Sequence, residues 1–189
     1  KFLKIAKHFG LKTKVILTDG SQPIGNGIGP VLEMLDVIRV LKQQNPPKDL
    51  EEKSILIAGE IFEMVGKAKS GEGKKLAIEI LKSGKAYQKF NEIIDAQGKK
   101  NIILEPAKLR YEIKADKDGK ILFIDNKSIN LLGRILGCPL DKSAGIYLHK
   151  HNNDIVRKNE TIMTLYAESD KKLKEAIAYY NESKPILVK

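Results

Sequence analysis

The sequence has little cysteine, little arginine and no long apolar run, and each shortage excludes a class of protein. Its single cysteine, Cys138, cannot form an internal disulfide, so a reducing, cytoplasmic setting is expected. No apolar run approaches the roughly 20 residues that a membrane-spanning helix needs, so no membrane partner is expected. Residues 1–7 mix lysine with apolar side chains, which predicts that they are not a signal peptide.

Arginine is scarce although the chain is basic. Only four of the 34 basic residues are arginine, and the formal net charge is +10. Arginine is the residue best suited to bidentate contacts with bases and phosphates, so its scarcity argues against a nucleic-acid partner. The lysines are scattered, are paired with Glu and Asp, and are not interleaved with aromatics. We favour a solvated lysine surface on a protein that handles small anions; a basic nucleic-acid-binding module is the alternative.

The cysteine and the three histidines offer little chemistry. Cys138 follows Leu136 and Gly137 in an apolar stretch, which predicts a buried structural thiol. His149 and His151 lie two apart with no nearby third ligand, so we predict surface residues rather than a zinc site.

The first hundred residues are predicted to form one strand followed by helices. A helix is predicted to end at Gly10, and residues 12–17 alternate and end in an apolar run that predicts a buried strand. Amphipathic patterns then predict helices. They cover residues 31–41, 50–66, 76–81 and 86–96. Because a lone strand cannot form a sheet, its partners are expected in polypeptide N-terminal to this sequence, and the chain is expected to be a fragment.

Alternating apolar residues predict strands from residue 105 onward. Residues 109–115 and 121–125 are predicted to be joined by a tight turn at 116–119. Further strands are predicted at residues 146–149, 162–166 and 186–188, and helices at 129–136 and 171–180. The overall prediction is an α/β part over residues 1–104 and an α+β domain with antiparallel hairpins, barrel-sandwich-like, over residues 105–189.

The glycine- and proline-rich segment 18–30 is the most unusual part of the sequence. It lies between the predicted strand and a helix, and crevices at the carboxyl ends of strands are where open α/β sheets bind ligands. Asp19, Ser21, Gln22 and Asn26 could all hydrogen-bond a polar substrate. A tight strand-to-helix connection without a ligand explains the same residues, and the pattern alone leaves both interpretations open. The glycine spacing fits neither a Rossmann fingerprint nor a Walker loop.

A resemblance to a known family sharpens this interpretation. Residues 18–33, TDGSQPIGNGIGPVLE, resemble the signature segment of the thymidine phosphorylase family, and Gly20-Ser21 and Gly29-Pro30 resemble its archaeal-type AMP phosphorylases. Further matches follow in order within residues 83–98, 124–146 and 154–168. The resemblance implies a pentosyltransferase, in which a nucleoside 5′-monophosphate and phosphate yield the base and ribose 1,5-bisphosphate. A thymidine or pyrimidine nucleoside phosphorylase is the alternative within this class.

The resemblance also implies where the site lies. The family's base- and phosphate-binding residues precede segment 18–30, so the chain is expected to hold no catalytic residues and to be inactive alone. Residues 1–104 would be the tail of the family's central α/β domain, and residues 105–189 its C-terminal domain. The matching substrate-pocket residues are Asp19, Gly20, Ser21, Gln22, Asn26, Gly27 and Ile28. Ile28 matches an apolar position that packs against the base.

Ligands and partners follow from the same resemblance. A monovalent or calcium-like cation would be held by the carbonyls of Ile24 and Gly27 and the carboxylate of Asp36, because oxygen ligands suit such an ion. No organic cofactor is implied, phosphate is the co-substrate, and the full-length protein is expected to be a homo-oligomer. The C-terminal strand pattern is also similar to biotinyl and lipoyl carrier domains, but no carrier-type lysine motif lies at a hairpin tip.

Overall fold

The computed structural model describes residues 1–100 and 102–189, which divide into two compact units. The first unit comprises residues 1–19 and 40–99, and the second comprises residues 20–39 and 100–189. The sequence pattern predicts residues 20–39 in the first domain. They cluster with the second unit instead, because Gly27 and Ile28 pair with a strand of that unit.

The described residues form helices and antiparallel strands. The helices are α1 (Phe2–His8), α2 (Pro30–Lys42), α3 (Lys48–Met64), α4 (Gly73–Lys82), α5 (Lys85–Ala96), α6 (Asn126–Leu136) and α7 (Asp170–Ser183). The strands are β1 (Gly27–Ile28), β2 (Leu109–Lys114), β3 (Gly119–Ile124), β4 (Gly145–Leu148), β5 (Ile155–Val156), β6 (Thr161–Ala167) and β7 (Ile186–Val188). Within the part of the chain that the structure covers, no helix combines the length and apolarity needed to cross a bilayer.

Every regular element in the described residues of the first unit is a helix. The predicted helices after residue 50 are confirmed, and α3 and α4 approach closely where Gly59 faces Gly73. The predicted buried strand over residues 12–17 is wrong: these residues form no strand, and Leu17 is 93% exposed. A strand needs a neighbour to satisfy its backbone groups, and the described residues of this unit provide none, so its expected α/β character is not seen.

The second unit holds two antiparallel sheets around one apolar core. One sheet has the strand order β1-β4-β6-β2, and the other has the order β5-β3-β7. The predicted hairpin over residues 109–125 is wrong, because β2 pairs with β6 whereas β3 pairs with β5 and β7. Strand β6 pairs with β4 along one edge and with β2 along the other, so the backbone groups on both of its edges are satisfied, and its side chains are buried from Ile162 to Leu165.

The core of the second unit lies between these sheets and α6 and α7. Its largest fully buried side chains are Ile121, Ile124, Ile129, Leu132, Leu136, Ile146, Leu148, Met163 and Leu165. The Asp125 carboxylate accepts hydrogen bonds from the backbone N–H groups of Lys127 and Ser128, which caps the start of α6. The C-terminal domain is therefore α+β, as predicted.

Tyr180, near the end of α7, predicts an alkaline limit to stability. Burial raises the pKa of its phenol to about 12, from a value of about 10 in an unfolded chain. The contribution of the neutral Tyr180 phenol to the stability of the fold is fully present below pH ~10. It is lost as the pH rises toward ~12, because the phenol ionises more readily in the unfolded state than in the folded state. The free energy of unfolding, measured by urea titration, should fall in both chains between pH ~8 and ~11.5. We expect this fall to be about 2 kcal/mol smaller in Tyr180→Phe than in the parent chain. Equal losses in both chains would contradict this assignment.

Candidate functional site

The predicted pocket segment lies on the second unit and is held there by β4. Residues 20–26 have no regular secondary structure and lead into β1. Gly27 pairs with Tyr147 and Ile28 with Ile146, and the backbone N–H of Leu148 donates to the Asn26 carbonyl over 2.7 Å. A short strand pairing therefore fixes the end of the segment, directly before α2 begins.

Asp36 of α2 anchors the same segment from the other side. Its side chain is 1% exposed, and its Oδ2 atom accepts the backbone N–H groups of Asn26 and Gly27, each over 2.7 Å. Its Oδ1 atom accepts a hydrogen bond from Nη1 of Arg39 over 3.0 Å. A buried carboxylate is stable only with such partners. Leu32, four residues before Asp36, is also buried, so Asp36 lies on the apolar face of α2. An acidic residue on that face is the feature of the sequence that could have identified this anchor.

The Asn26 side chain extends this arrangement into a polar network. Its Nδ2 atom donates to the Tyr147 hydroxyl over 3.1 Å, and its Oδ1 atom lies 2.8 Å from Nε2 of His151. Nη1 of Arg39 also donates to the Tyr147 hydroxyl over 3.0 Å. These five residues, Asn26, Asp36, Arg39, Tyr147 and His151, are called the Asn26 network below. Asn26 thus has its backbone N–H, its carbonyl and both side-chain polar atoms engaged within the protein.

His149 borders the network. Its Nε2 atom lies 2.8 Å from the Thr164 hydroxyl, and its ring meets the Tyr147 ring edge-on with centroids 5.0 Å apart. Burial lowers its pKa, which favours the neutral imidazole. No group of three or more His, Cys, Asp or Glu side chains that could hold a metal ion occurs in residues 1–100 and 102–189.

The other predicted pocket residues are arranged along the same segment. The Gln22 Oε1 atom accepts the backbone N–H of Ile124 over 3.1 Å, and the Gly20 carbonyl accepts Nδ2 of Asn126 over 3.3 Å. Ile28 packs against the apolar core. Ser21 is exposed on the second unit, whereas Asp19 is the last residue of the first stretch of the first unit. The structure thus brings Gly20, Gln22, Asn26, Gly27 and Ile28 together on one unit.

The residues predicted to hold a cation do not fit one in this arrangement. The carboxylate of Asp36 already accepts two backbone N–H groups and the guanidinium of Arg39, which neutralises its charge. An ion bound to this carboxylate would lie against a fixed positive charge, and like charges at such range repel. Ile24 and Gly27 supply backbone carbonyls alone. Asp36 therefore holds the backbone of Asn26 and Gly27.

The surroundings of Cys138 predict an unreactive thiol. Its S–H donates to the Ala144 carbonyl over 3.1 Å, and burial raises its pKa to about 11. At pH 8 the thiolate fraction is then about 100-fold below that of an ordinary thiol, and the greater nucleophilicity of a basic thiolate offsets part of this. We expect the folded chain to react with 5,5′-dithiobis(2-nitrobenzoate) about tenfold slower than the urea-unfolded chain. Equal rates would contradict a structural thiol.

Comparisons with known proteins agree with the resemblance seen in residues 18–33. Residues 120–187 match the family described as the pyrimidine nucleoside phosphorylase C-terminal domain. The chain is 38% identical over 194 residues to an AMP phosphorylase of Methanococcus aeolicus, and 39% identical over 191 residues to one of Hyperthermus butylicus. It is 38% identical over 186 residues to a putative thymidine phosphorylase of Legionella pneumophila. These matches cover 98–100% of this chain but only 36–38% of each relative's own length.

Proposed function

We propose that this chain, a homologue of the AMP and thymidine phosphorylases along its whole length, is the C-terminal part of a pentosyltransferase that acts on nucleoside 5′-monophosphates. Phosphate attacks the anomeric carbon, the N-glycosidic bond breaks and the base leaves with the bonding electrons. AMP and phosphate thereby give adenine and ribose 1,5-bisphosphate. The supporting observation is the 38% identity to AMP phosphorylases over at least 98% of this chain.

In this proposal segment 20–28 forms one wall of the substrate pocket, and the second unit keeps that wall in place. Asp36 fixes the backbone of Asn26 and Gly27, while Tyr147 and His151 fix the Asn26 side chain. Holding reactants in a defined geometry lowers the entropic cost of reaching the transition state, so a pre-formed wall contributes to rate. Gly20 and Ser21, which are exposed, are the residues proposed to face the substrate.

The second candidate is phosphorolysis of pyrimidine nucleosides. The putative thymidine phosphorylase of Legionella pneumophila and the AMP phosphorylase of Methanococcus aeolicus are equally similar to this chain, at 38% identity each. The family matched by residues 120–187 is also named for pyrimidine nucleosides. The two candidates share phosphate as co-substrate and differ in the base and in the 5′-phosphate.

Two chimeric enzymes would test the proposal. This chain replaces the matching segment of the Methanococcus aeolicus enzyme in one chimera and of the Legionella pneumophila protein in the other. Circular dichroism first checks that each chimera is folded. We expect the folded Methanococcus aeolicus chimera to release adenine from AMP only when phosphate is present, at a rate within about tenfold of that of the unmodified Methanococcus aeolicus enzyme. Activity restored in the second chimera alone would favour pyrimidine nucleosides. Two folded but inactive chimeras would refute both candidates. The 189-residue chain alone serves as the control and is expected to release no base.

A further inference from the structure

Strand β2 is an edge strand with one side open. It is the last strand of the sheet with the order β1-β4-β6-β2, and β6 is its one strand neighbour in the part of the chain that the structure describes. An edge strand presents a row of backbone N–H and C=O groups that can pair with another strand. A groove beside residues 110–114 is also lined by Tyr180 and Asn181 of α7, and every residue of β2 except Ile113 is exposed. The edge is therefore accessible to an added strand.

The apolar face of the sheet continues to this edge and is incomplete there. Leu109 and Tyr111 are 41% and 45% exposed, although their partners across the sheet, Ala167 and Leu165, are both 0% exposed. Alternate side chains of a strand point to the same face, which places Leu109 and Tyr111 on the side of the buried Ile113. A further strand beyond β2 would cover these two side chains and extend the core.

The opposite face of β2 carries a charge pattern that complements itself. Arg110 and Glu112 are both exposed there, and neither forms an ion pair with any residue in the described ranges 1–100 and 102–189. If two copies of β2 run antiparallel about Tyr111, Arg110 of each copy lies opposite Glu112 of the other. Opposite charges facing each other across an antiparallel pair stabilise it. In the same register Leu109 lies opposite Ile113, so the apolar face matches as well.

We propose that β2 is a self-association surface, on which the β2 strand of a second copy of this chain pairs antiparallel from Leu109 to Ile113. The ladder between β2 and β6 is regular over these residues and shifts at Lys114, which limits the pairing to this stretch. An acidic peptide would match Arg110 but would leave Glu112 opposite a like charge, whereas a second copy satisfies both. The net charge of +10 on each copy opposes association at long range, and salt weakens that repulsion.

Charge reversal at the two positions tests the pairing, with sedimentation equilibrium in about 0.3 M NaCl as the readout. We expect a concentration-dependent dimer of the parent chain. Arg110→Glu and Glu112→Arg should each raise the dimer Kd at least about tenfold, because each places two pairs of like charges across the interface. The double variant R110E/E112R should dimerise as the parent chain does, since both opposite-charge pairs are restored.

Mixing the two single variants gives the sharpest readout. One strand then carries two acidic residues and the other two basic residues, so both cross-strand pairs are complementary, and we expect a heterodimer from two chains that are monomeric alone. This gain of association also excludes misfolding as the cause of the single-variant losses. A parent chain that stays monomeric at sub-millimolar concentration, a dimer insensitive to both reversals, or single variants that fail to associate when mixed would each overturn the proposal.

Discussion

Replacing Asp36 by alanine should lower the free energy of unfolding of the second unit by about 3–4 kcal/mol. The substitution leaves the backbone N–H groups of Asn26 and Gly27 without their acceptor, and it removes the ion pair to Arg39. Unpaired buried polar groups cost about 1–3 kcal/mol each. Asp36→Asn should lose about 2 kcal/mol, because its amide oxygen can still accept a backbone hydrogen bond whereas its NH₂ group cannot pair with a guanidinium.

The measurement is a urea titration followed by near-ultraviolet circular dichroism. Five of the six tyrosines lie in the second unit, so the signal reports mainly on that unit. Glu175→Ala is the matched control in the same unit: Glu175 is 55% exposed, the Nζ atom of its partner Lys171 is 3.9 Å away, and we expect a change within about 0.5 kcal/mol. Equal stability of Asp36→Ala and the control would show that β4 pairing alone holds the segment.

Gly29→Ala should also destabilise the second unit, by about 2–4 kcal/mol. Gly29 has φ +118°, a backbone conformation that residues with a Cβ atom rarely adopt. A Cβ atom there would lie 2.5 Å from the Ala144 carbonyl oxygen and 2.9 Å from the Cys138 sulfur. The carbonyl belongs to the backbone directly before β4, so it cannot move without disturbing the pairing of β4 with β1.

Gly20→Ala provides the control on the same segment. A Cβ atom at Gly20 meets nothing within 4 Å, and the residue has no positive φ. We expect its stability to change by no more than about 0.5 kcal/mol, measured by the same urea titration. If both glycine variants lost equal stability, close packing at Gly29 could not be the cause.

The pattern of successes and errors follows from how far apart the interacting residues lie. The helices α3 and α5 are predictable because their apolar residues repeat every three or four positions, which is a local property. The predictions of a strand over residues 12–17 and a hairpin over residues 109–125 are wrong because a strand depends on its partners. Strand β2 finds its partner in β6, about fifty residues along the chain, and no turn signal marks that pairing.

The candidate site shows the same division. The unusual composition of segment 18–30 singles out Asn26 and Gly27, and the family resemblance points to Asp36. Neither signal identifies Arg39, Tyr147 and His151 as members of the Asn26 network. Tyr147 and His151 lie 121 and 125 residues from Asn26 in the sequence, and the residues around each of them carry no motif that links it to Asn26.

The amino-acid sequence alone indicated a family resemblance, the positions of the helices and the segment of interest, because collinear motifs and short-range apolar periodicity are written directly in the order of residues. Tertiary structure alone decided that residues 20–39 cluster with the second unit, that Asp36 is a buried anchor for the backbone of Asn26 and Gly27, and that β2 ends a sheet with an open side. Each of these depends on which distant groups meet, and buried polar groups and strand edges are satisfied by partners whose sequence separation leaves no local trace.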